Sequence, residues 1–192
     1  MKLIYGVGFN DRKYPARIGK DKTLEYSHWQ KMLMRCYKSN KTTNPSYMKC
    51  TVSDNFKNYS YFYEWCQNQF GFGLDGYHLD KDILVKNNNI YSEDTCVFIP
   101  QQINNIFLSS KSRRGEYPVG VSFSKHYGKF ECHVMRESKR TNLGLYKNPN
   151  DAFMVYKKNK EDYVKYMANK HKDKIDHRVY EALMNREICI DD

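Results

Sequence analysis

The residues with the clearest chemical potential lie in Tyr77–Ile83, where one imidazole and two carboxylates occupy alternate positions. The pattern of Tyr77–Val85 predicts a β-strand. Because successive side chains of a strand point to opposite faces, His78, Asp80 and Asp82 are expected on one face. Carboxylate oxygens are preferred ligands of hard divalent cations, and a nearby imidazole can act as a general base toward water. The spacing therefore favours metal-assisted hydrolysis.

The elements that follow could complete such a site. The polar loop Lys86–Asn89 separates the first strand from a second apolar run, Cys96–Ile99, and Gln101–Leu108 after Pro100 predicts a helix. In a strand, loop, strand, helix unit the helix can fold back against the first strand. The amide oxygen of Asn104 would then add a ligand to the cation.

This unit resembles the HNH, or His-Me finger, nuclease motif of bacteriophage homing-endonuclease-like proteins. The resemblance rests on Leu79–Asp82, the Asn87–Asn89 loop, Tyr91–Phe98 and Gln102–Asn105, and upstream on Trp29, Arg35–Tyr37, Pro45–Tyr47 and Val52–Phe56. It implies a ββα-metal fold and hydrolysis of phosphodiester bonds with Mg²⁺ or Mn²⁺. It also implies a bacterial host cytoplasm as the location.

The chain departs from that motif at the general base. Where the family places Asp-His at the end of the first strand, this sequence has Leu79-Asp80. The resemblance therefore implies His78 and Asp80 as the catalytic candidates, and Asp80, Asp82 and Asn104 as metal ligands. A degenerate module that keeps the fold and binds DNA or a host protein without cleavage is the alternative.

Each of these residues also has a purely structural interpretation. Asp80, Lys81 and Asp82 could form an exposed charge cluster of little energetic consequence. His78 could belong to a core or an interface, and Asn104 could hydrogen-bond the backbone. The Asn87–Asn89 loop could be a turn, because Asn tolerates left-handed backbone.

A second constellation occupies the C-terminal third. Alternation predicts three short strands, Gly120–Ser124, Lys129–Arg136 and Thr141–Tyr146, and a helix from Asn150 to about His171. One helix can cover only one face of such a sheet. A free, twisted sheet face with basic residues fits the major groove of DNA.

This stretch resembles the AP2/ERF-type DNA-binding domain. The resemblance covers about 50 residues and rests on Gly120-Val121, Gly128–Phe130, Leu143-Gly144 and Ala152 with Tyr156. It implies outward-facing positions that contact DNA: Ser122, Ser124, Tyr127, His133, Met135, Arg140 and Asn142. Phosphate contacts are predicted from the basic residues Lys125, Lys129, Arg136, Lys139 and Arg140. Alternatively, these cations only solvate an exposed sheet.

The remaining helices are predicted to build the core. Trp29, Met32, Leu33 and Cys36 recur at helical spacing within Tyr26–Tyr37. After a short strand at Met48–Val52, Ser53-Asp54 is a plausible N-cap for a second helix that carries aromatic residues as far as Phe70. A last helical stretch is expected over Asp176–Glu187.

The overall composition favours a folded, basic protein. The 192 residues include 32 Lys and Arg against 22 Asp and Glu, a net charge of +10, which suits a partner that carries phosphates. The six cysteines show no metal-binding spacing and are expected to be reduced thiols. No signal peptide or long apolar run is present, so no membrane partner is expected.

These patterns predict an α+β protein with two modules. The expected ranges are an N-terminal arm at 1–19, an HNH-like module at 20–108, a basic linker at 109–115, an AP2-like domain at 116–172 with a three-stranded antiparallel sheet on one helix, and a helical tail at 173–192. The expected partner is double-stranded DNA and the expected activity is that of an endonuclease or nickase. Cleavage of both strands would need a homodimer or a second event.

Overall fold

The computed structural model describes residues 3–38, 47–107 and 116–192, so the predicted linker 109–115 lies outside the described residues. The chain divides into two compact units. The N-terminal unit comprises Met1–Asn104 with Asp173–Val179, and the C-terminal unit comprises Asn105–Lys172 with Tyr180–Asp192. Both contain helices and small sheets, which confirms the α+β class.

The N-terminal unit is built from short elements. In chain order they are β1 (Arg17–Ile18), β2 (Asp21–Lys22), α1 (Leu24–Tyr37), β3 (Thr51–Val52), α2 (Asp54–Lys57), α3 (Tyr59–Gln67), β4 (Tyr77–Asp80), β5 (Ile90–Tyr91), β6 (Val97–Pro100) and the start of α4 (Gln101–Ile106). Strands β1 and β2 pair antiparallel, β3 and β5 parallel, and β4 and β6 antiparallel. The predicted order of strand, loop, strand and helix is present as β4, β6 and α4.

Local capping sets the helix boundaries. Helix α1 begins two residues before its predicted start because the Thr23 side chain accepts a hydrogen bond from the Tyr26 amide. Ser53 caps α2 as predicted. The prediction of one long second helix was wrong, because Asn58 has extended backbone and caps a separate helix, α3, with its own side chain.

Aromatic residues form the core of the N-terminal unit, as their helical spacing predicted. Trp29, Phe56, Tyr59 and Phe62 are fully buried. The indole Nε1 of Trp29 donates a hydrogen bond of 2.7 Å to the Phe56 carbonyl, so the ring is buried without an unsatisfied donor. Phe98 of β6 joins the same cluster and ties the strand pair to the helices.

The N-terminal arm is more ordered than its sequence indicated. The rings of Tyr14 and Tyr63 stack with centroids 4.0 Å apart. The Tyr59 hydroxyl donates to the Pro15 carbonyl at 2.9 Å, and the Ser60 hydroxyl donates to the Asp11 carboxylate. These contacts fasten the arm to α3.

The C-terminal unit contains the three-stranded sheet. Its strands are β7 (Val121–Ser124), β8 (Lys129–Arg136) and β9 (Lys139–Tyr146), followed by α5 (Pro149–Lys170); a short 3₁₀ turn (Lys172–Lys174) and α6 (His177–Met184) come next along the chain. The order β7-β8-β9 is antiparallel throughout, as predicted. Strand β9 begins earlier than predicted because Glu137 and Ser138, both with positive φ, form a tight turn.

Helix α5 packs on one face of that sheet. The buried residues of this core include Val121, Cys132, Val134 and Phe153. The end of the chain completes it, because the Ile188 amide donates to the Glu161 carboxylate at 2.9 Å.

Helix α6 (His177–Met184) is shorter than the helix predicted over Asp176–Glu187.

Two predictions about chemistry can be compared directly with the fold. All six cysteines are free thiols, and Cys50, Cys66, Cys96 and Cys132 are buried. Among the described residues, no helix combines the length and the apolar character needed to cross a membrane.

Candidate nucleic-acid interface and candidate hydrolytic site

The sheet of the C-terminal unit has one face without a helix. Paired residues of an antiparallel sheet carry their side chains on the same face. Strand β8 buries Cys132 and Val134 against α5, so the alternate residues Glu131, His133 and Met135 lie on the opposite side. We call this side the free face.

The strand register assigns most of the predicted contact residues to the free face. Ser122 pairs with Glu131, Ser124 with Lys129, His133 with Asn142, and Met135 with Arg140. The free face therefore carries Ser122, Ser124, Lys129, His133, Met135, Arg140 and Asn142. The side chain of Met135 is exposed, with a relative exposure of 49%.

Two predicted contact residues lie on the helix side instead. Arg136 pairs with Lys139, and its Nη2 donates 3.0 Å to the Asn159 side chain of α5. The Arg136 guanidinium also lies 6.0 Å from the ring centre of Tyr163. Strand alternation accounts for this position, because Arg136 follows the buried Val134 by two positions.

The β7–β8 turn extends the exposed surface beyond the strands. Lys125 and Tyr127 are both exposed there, and the His126 and Tyr127 rings meet edge to face with centroids 4.5 Å apart. Gly128 has a φ of +59°, which lets the chain reverse. The turn therefore presents one cation and one aromatic ring beside Lys129.

A small polar network organises the free face. Nη2 of Arg140 lies 3.2 Å from Nδ1 of His133 and 3.9 Å from the Glu131 carboxylate. Burial and the charge of Arg140 lower the pKa of His133, while Glu131 opposes them. The imidazole is therefore mostly neutral at pH 7, and Glu131 partly offsets the positive charge at the centre of the sheet.

Asn142 has a local structural task. Its Oδ1 accepts a hydrogen bond of 2.8 Å from the Gly144 amide, next to a bulge where the register shifts between Cys132 and His133. Its amide group remains on an exposed residue of the free face. The bulge bends the strand at this point.

In the N-terminal unit, Asp80 ends β4 instead of extending it. Its Oδ1 accepts hydrogen bonds from the amides of Asp82 and Ile83 at 2.8 Å and 2.7 Å. This side chain turns the chain away from the sheet. The prediction of a strand as far as Val85 was therefore wrong, and Asp82 is not on a strand face with His78.

Burial of alternate residues nevertheless continues past the strand. Leu79, Lys81 and Ile83 are 7%, 6% and 4% exposed. Burial raises the pKa of the Asp80 carboxyl, against the opposing effect of the two amide hydrogen bonds. His78 is exposed on β4.

The buried ammonium of Lys81 closes the loop after β4. Its Nζ lies 2.5 Å from the Asp82 carboxylate and donates to the Asn88 carbonyl at 2.7 Å. Asn88 donates in turn to the carbonyls of Lys81 and Ile90. Asn87 has left-handed backbone, with a φ of 62°. The interpretation of the Asn loop as a turn is confirmed, whereas Lys81 is not an exposed charge.

The predicted metal ligands Asp80, Asp82 and Asn104 are not arranged to coordinate one ion. Asn104 is half-buried in α4. One oxygen of Asp80 is engaged by the backbone, and an oxygen of Asp82 is paired with a buried ammonium. Across residues 3–38, 47–107 and 116–192, no three His, Cys, Asp or Glu side chains converge on a common point suited to a metal ion. As arranged, these residues do not fit a divalent cation.

The structure brings residues to this region that the sequence analysis did not select. His28 of α1 packs edge-on against Phe98 of β6, with ring centroids 5.1 Å apart. Burial, together with the charges of Lys31, Arg35 and His78, lowers the pKa of His28 to about 4. The helical spacing of residues 28, 31 and 35 was visible in the sequence, but no local pattern indicated that His28 packs against Phe98 of β6.

Comparison with known proteins identified no relative. No family model, no curated protein and no solved structure matches the chain.

Proposed function

We propose that this protein binds double-stranded DNA through the free face of its C-terminal sheet. The observation that carries the proposal is the strand register, which gathers Lys129, His133, Arg140 and Asn142 on the face that α5 leaves uncovered. Exposed lysines and arginines supply phosphate contacts, while His133 and Asn142 offer hydrogen bonds to base edges. The AP2-like assignment of this domain belongs to the same proposal.

The composition of the free face indicates what kind of binding to expect. Ser122 and Ser124 are short, and Met135 cannot donate a hydrogen bond. Glu131 repels phosphates and is only partly offset by Arg140. We therefore expect backbone contacts to supply most of the affinity and base readout to be weak.

The test is the salt dependence of duplex binding by the full chain. Fluorescence anisotropy with a labelled duplex of about 30 base pairs should give a dissociation constant that rises steeply with salt. Each lost phosphate contact should lower the slope of log K against log salt by about 0.9. Lys129→Gln and Arg140→Gln should both do so.

Lys158→Gln is the matched control. Lys158 is exposed on α5, whose inner side covers the opposite face of the sheet, so its removal changes net charge equally without altering the free face. Equal effects of all three substitutions would show only a general charge effect and would overturn the proposed interface. Binding that does not depend on salt would do the same.

Metal-dependent hydrolysis of a phosphodiester bond is a second candidate function. The observation in its favour is the antiparallel pair β4–β6 leading directly into α4, with Asp80 at the end of the first strand. Because the carboxylates are already engaged, we derive no cleavage step. A catalytically silent module that retains DNA binding accounts for the same geometry.

A plasmid-nicking assay separates these alternatives. Wild-type protein is incubated with supercoiled DNA and Mg²⁺ or Mn²⁺, beside Asp82→Ala and Asn104→Ala. If hydrolysis occurs at this site, wild type should give a nicked product only in the presence of the metal. Neither variant should give that product. If wild type binds the plasmid and gives no such product, the hydrolase candidate is wrong.

A further inference from the structure

We propose that two local contacts hold His133 and Asn142 of the free face as hydrogen-bond donors only, so that this pair reads base edges that carry acceptors. The inference deepens the proposed function and rests on it for the ligand, which is duplex DNA. Arg140 acts as a positioning residue for His133, and the Gly144 amide does the same for Asn142. Both contacts are present before DNA binds.

Strand pairing brings these side chains together. His133 of β8 pairs with Asn142 of β9, and Met135 pairs with Arg140. Residues that are paired, or displaced by two positions on the neighbouring strand, share a face, and long side chains can span the diagonal. Arg140 is such a diagonal neighbour of His133. Its Nη2 lies 3.2 Å from Nδ1 of the imidazole.

The chemistry of arginine fixes the roles in that contact. A guanidinium carries five N–H donors and no acceptor, so Nδ1 of His133 must accept. A neutral imidazole whose Nδ1 accepts carries its proton on Nε2. Among the described residues none hydrogen-bonds Nε2 of His133, and this atom is not buried. His133 therefore offers a ligand an N–H donor.

Glu131 orients Arg140 in turn. Its carboxylate lies 3.9 Å from Nη2 of Arg140, and the two side chains are 27% and 57% exposed. An ion pair of this exposure adds little to stability. Its effect is to hold the guanidinium beside the imidazole, with the Glu131 carboxylate facing the arginine.

Asn142 is restricted by a different contact. An unengaged Asn can read adenine with two hydrogen bonds, because its side chain accepts from N6 and donates to N7. Oδ1 of Asn142 instead accepts a hydrogen bond of 2.8 Å from the Gly144 amide. Nδ2 is therefore the group that this exposed residue offers to a ligand. Like His133, Asn142 presents donors.

Neighbouring donors suit particular base edges of the major groove. Guanine presents two acceptors there, O6 and N7, whereas adenine presents one acceptor and one donor, and cytosine presents a donor. His133 and Asn142 therefore favour guanine and disfavour cytosine. Because neutral hydrogen bonds contribute little net free energy, the preference is modest.

The first experiment examines the contact between Arg140 and His133 without DNA. The ring nitrogens of His133 are observed by NMR in the ¹⁵N-labelled full chain at neutral pH, and His133→Gln assigns the signals. The neutral ring should carry its proton on Nε2. A ring that carries its proton on Nδ1 would overturn the proposal.

Arg140→Met tests whether this arginine sets the state of His133. Burial and the charge of Arg140 lower the pKa of His133, and Glu131 raises it. The substitution should therefore raise the pKa, because it removes a positive charge and the donor to Nδ1. Lys129→Met is the control, since Lys129 is an exposed cation farther along β8 on the same face. Equal rises in the two variants would show a general charge effect and would overturn the positioning role.

The second experiment tests base readout by the full chain. A guanine-rich duplex is compared with the same sequence containing 7-deazaguanine, which lacks the N7 acceptor, or inosine, which lacks only the minor-groove amino group. Wild type should bind the 7-deazaguanine duplex about fivefold more weakly, the effect of one neutral hydrogen bond. Its affinity for the inosine duplex should match that for guanine.

Two substitutions assign this difference to residues. The ratio of the dissociation constants for the 7-deazaguanine and guanine duplexes cancels general effects of charge within each variant. His133→Phe keeps a ring and removes the donor, and Asn142→Asp keeps the acceptor for the Gly144 amide and removes Nδ2. Each should bring the ratio closer to one. Lys158→Gln, on the helix side, should leave it at the wild-type value.

The outcomes separate this inference from the proposed function. If wild type binds duplex DNA with a ratio near one, the readout is overturned and the proposed interface stands. If wild type binds no duplex, the proposed function fails and the readout fails with it. A ratio that His133→Phe and Asn142→Asp leave unchanged would assign the N7 contact to other residues, which overturns the roles given to this pair.

Discussion

Tyr156 lies so close to Gly120 that a Cβ atom added to Gly120 would stand 2.1 Å from Cδ2 of the ring. Gly120 also has a φ of +75°, a conformation that L side chains rarely adopt. Tyr156 belongs to α5 and Gly120 immediately precedes β7. The contact therefore joins the helix to the edge of the sheet, and only glycine fits.

Gly120→Ala should destabilise the C-terminal unit by about 3 kcal/mol, because overpacking against a buried ring adds to the backbone strain. Chemical denaturation followed by circular dichroism measures the change. Gly128→Ala is the control: Gly128 also has positive φ, at +59°, but a Cβ atom added there would meet nothing within 4 Å. Its cost should be only about 1 kcal/mol. Equal costs would show that the Tyr156 contact is unimportant.

Lys160 provides a test of pH dependence. This lysine of α5 is 9% exposed, and its Nζ donates to the Ile106 carbonyl at 2.7 Å. Burial lowers the pKa of Lys160 to about 8 from 10.5. Between these values the unfolded chain binds more protons than the folded one, so this group makes the protein more stable as the pH rises.

Lys160→Met should therefore have its largest advantage over wild type below a pH of about 8. That advantage in unfolding free energy should shrink by about 3 kcal/mol as the pH rises from about 8 to about 10.5. Tyrosines and cysteines titrate in both proteins and cancel in the difference. Lys158→Met, at an exposed position of the same helix, should show a constant difference. A constant difference for Lys160→Met would contradict the burial argument.

The sequence predicted the features that are determined by residues close together in the chain. It did not predict those that depend on contacts between distant residues. The strands of the C-terminal sheet and the Ser53 cap were predicted from patterns within a few residues. The end of β4 was not, because Asp80 replaces strand pairing with hydrogen bonds to the next amides. The approach of His28 to Phe98 joins residues far apart in the chain, and no local pattern encodes it.

Asp80 should respond differently to two substitutions. Asp80→Asn keeps an acceptor for the two amides and removes a carboxylate whose pKa burial has raised. A carboxyl with a raised folded pKa costs stability once the pH exceeds its unfolded value, so Asn should stabilise the protein at pH 7 and lose this advantage below pH 3.8. Asp80→Ala should destabilise it by about 2 kcal/mol, because two buried amides lose their partner. Thermal unfolding at both pH values distinguishes these outcomes, and an Asn variant as unstable as Ala would refute the turn argument.

Arg136 should matter for stability and not for DNA affinity. It was predicted among the phosphate contacts, yet its Nη2 donates to Asn159 of α5 at 3.0 Å and its guanidinium faces the Tyr163 ring. Arg136→Gln should lower the unfolding free energy by about 1 kcal/mol, the value of one hydrogen bond together with a weak cation–π contact. Under conditions where the variant is fully folded, its affinity for duplex DNA should match that of the helix-side control Lys158→Gln. A loss as large as that of Lys129→Gln would mean that DNA reaches the helix side of β8, and the free face would then not be the whole interface.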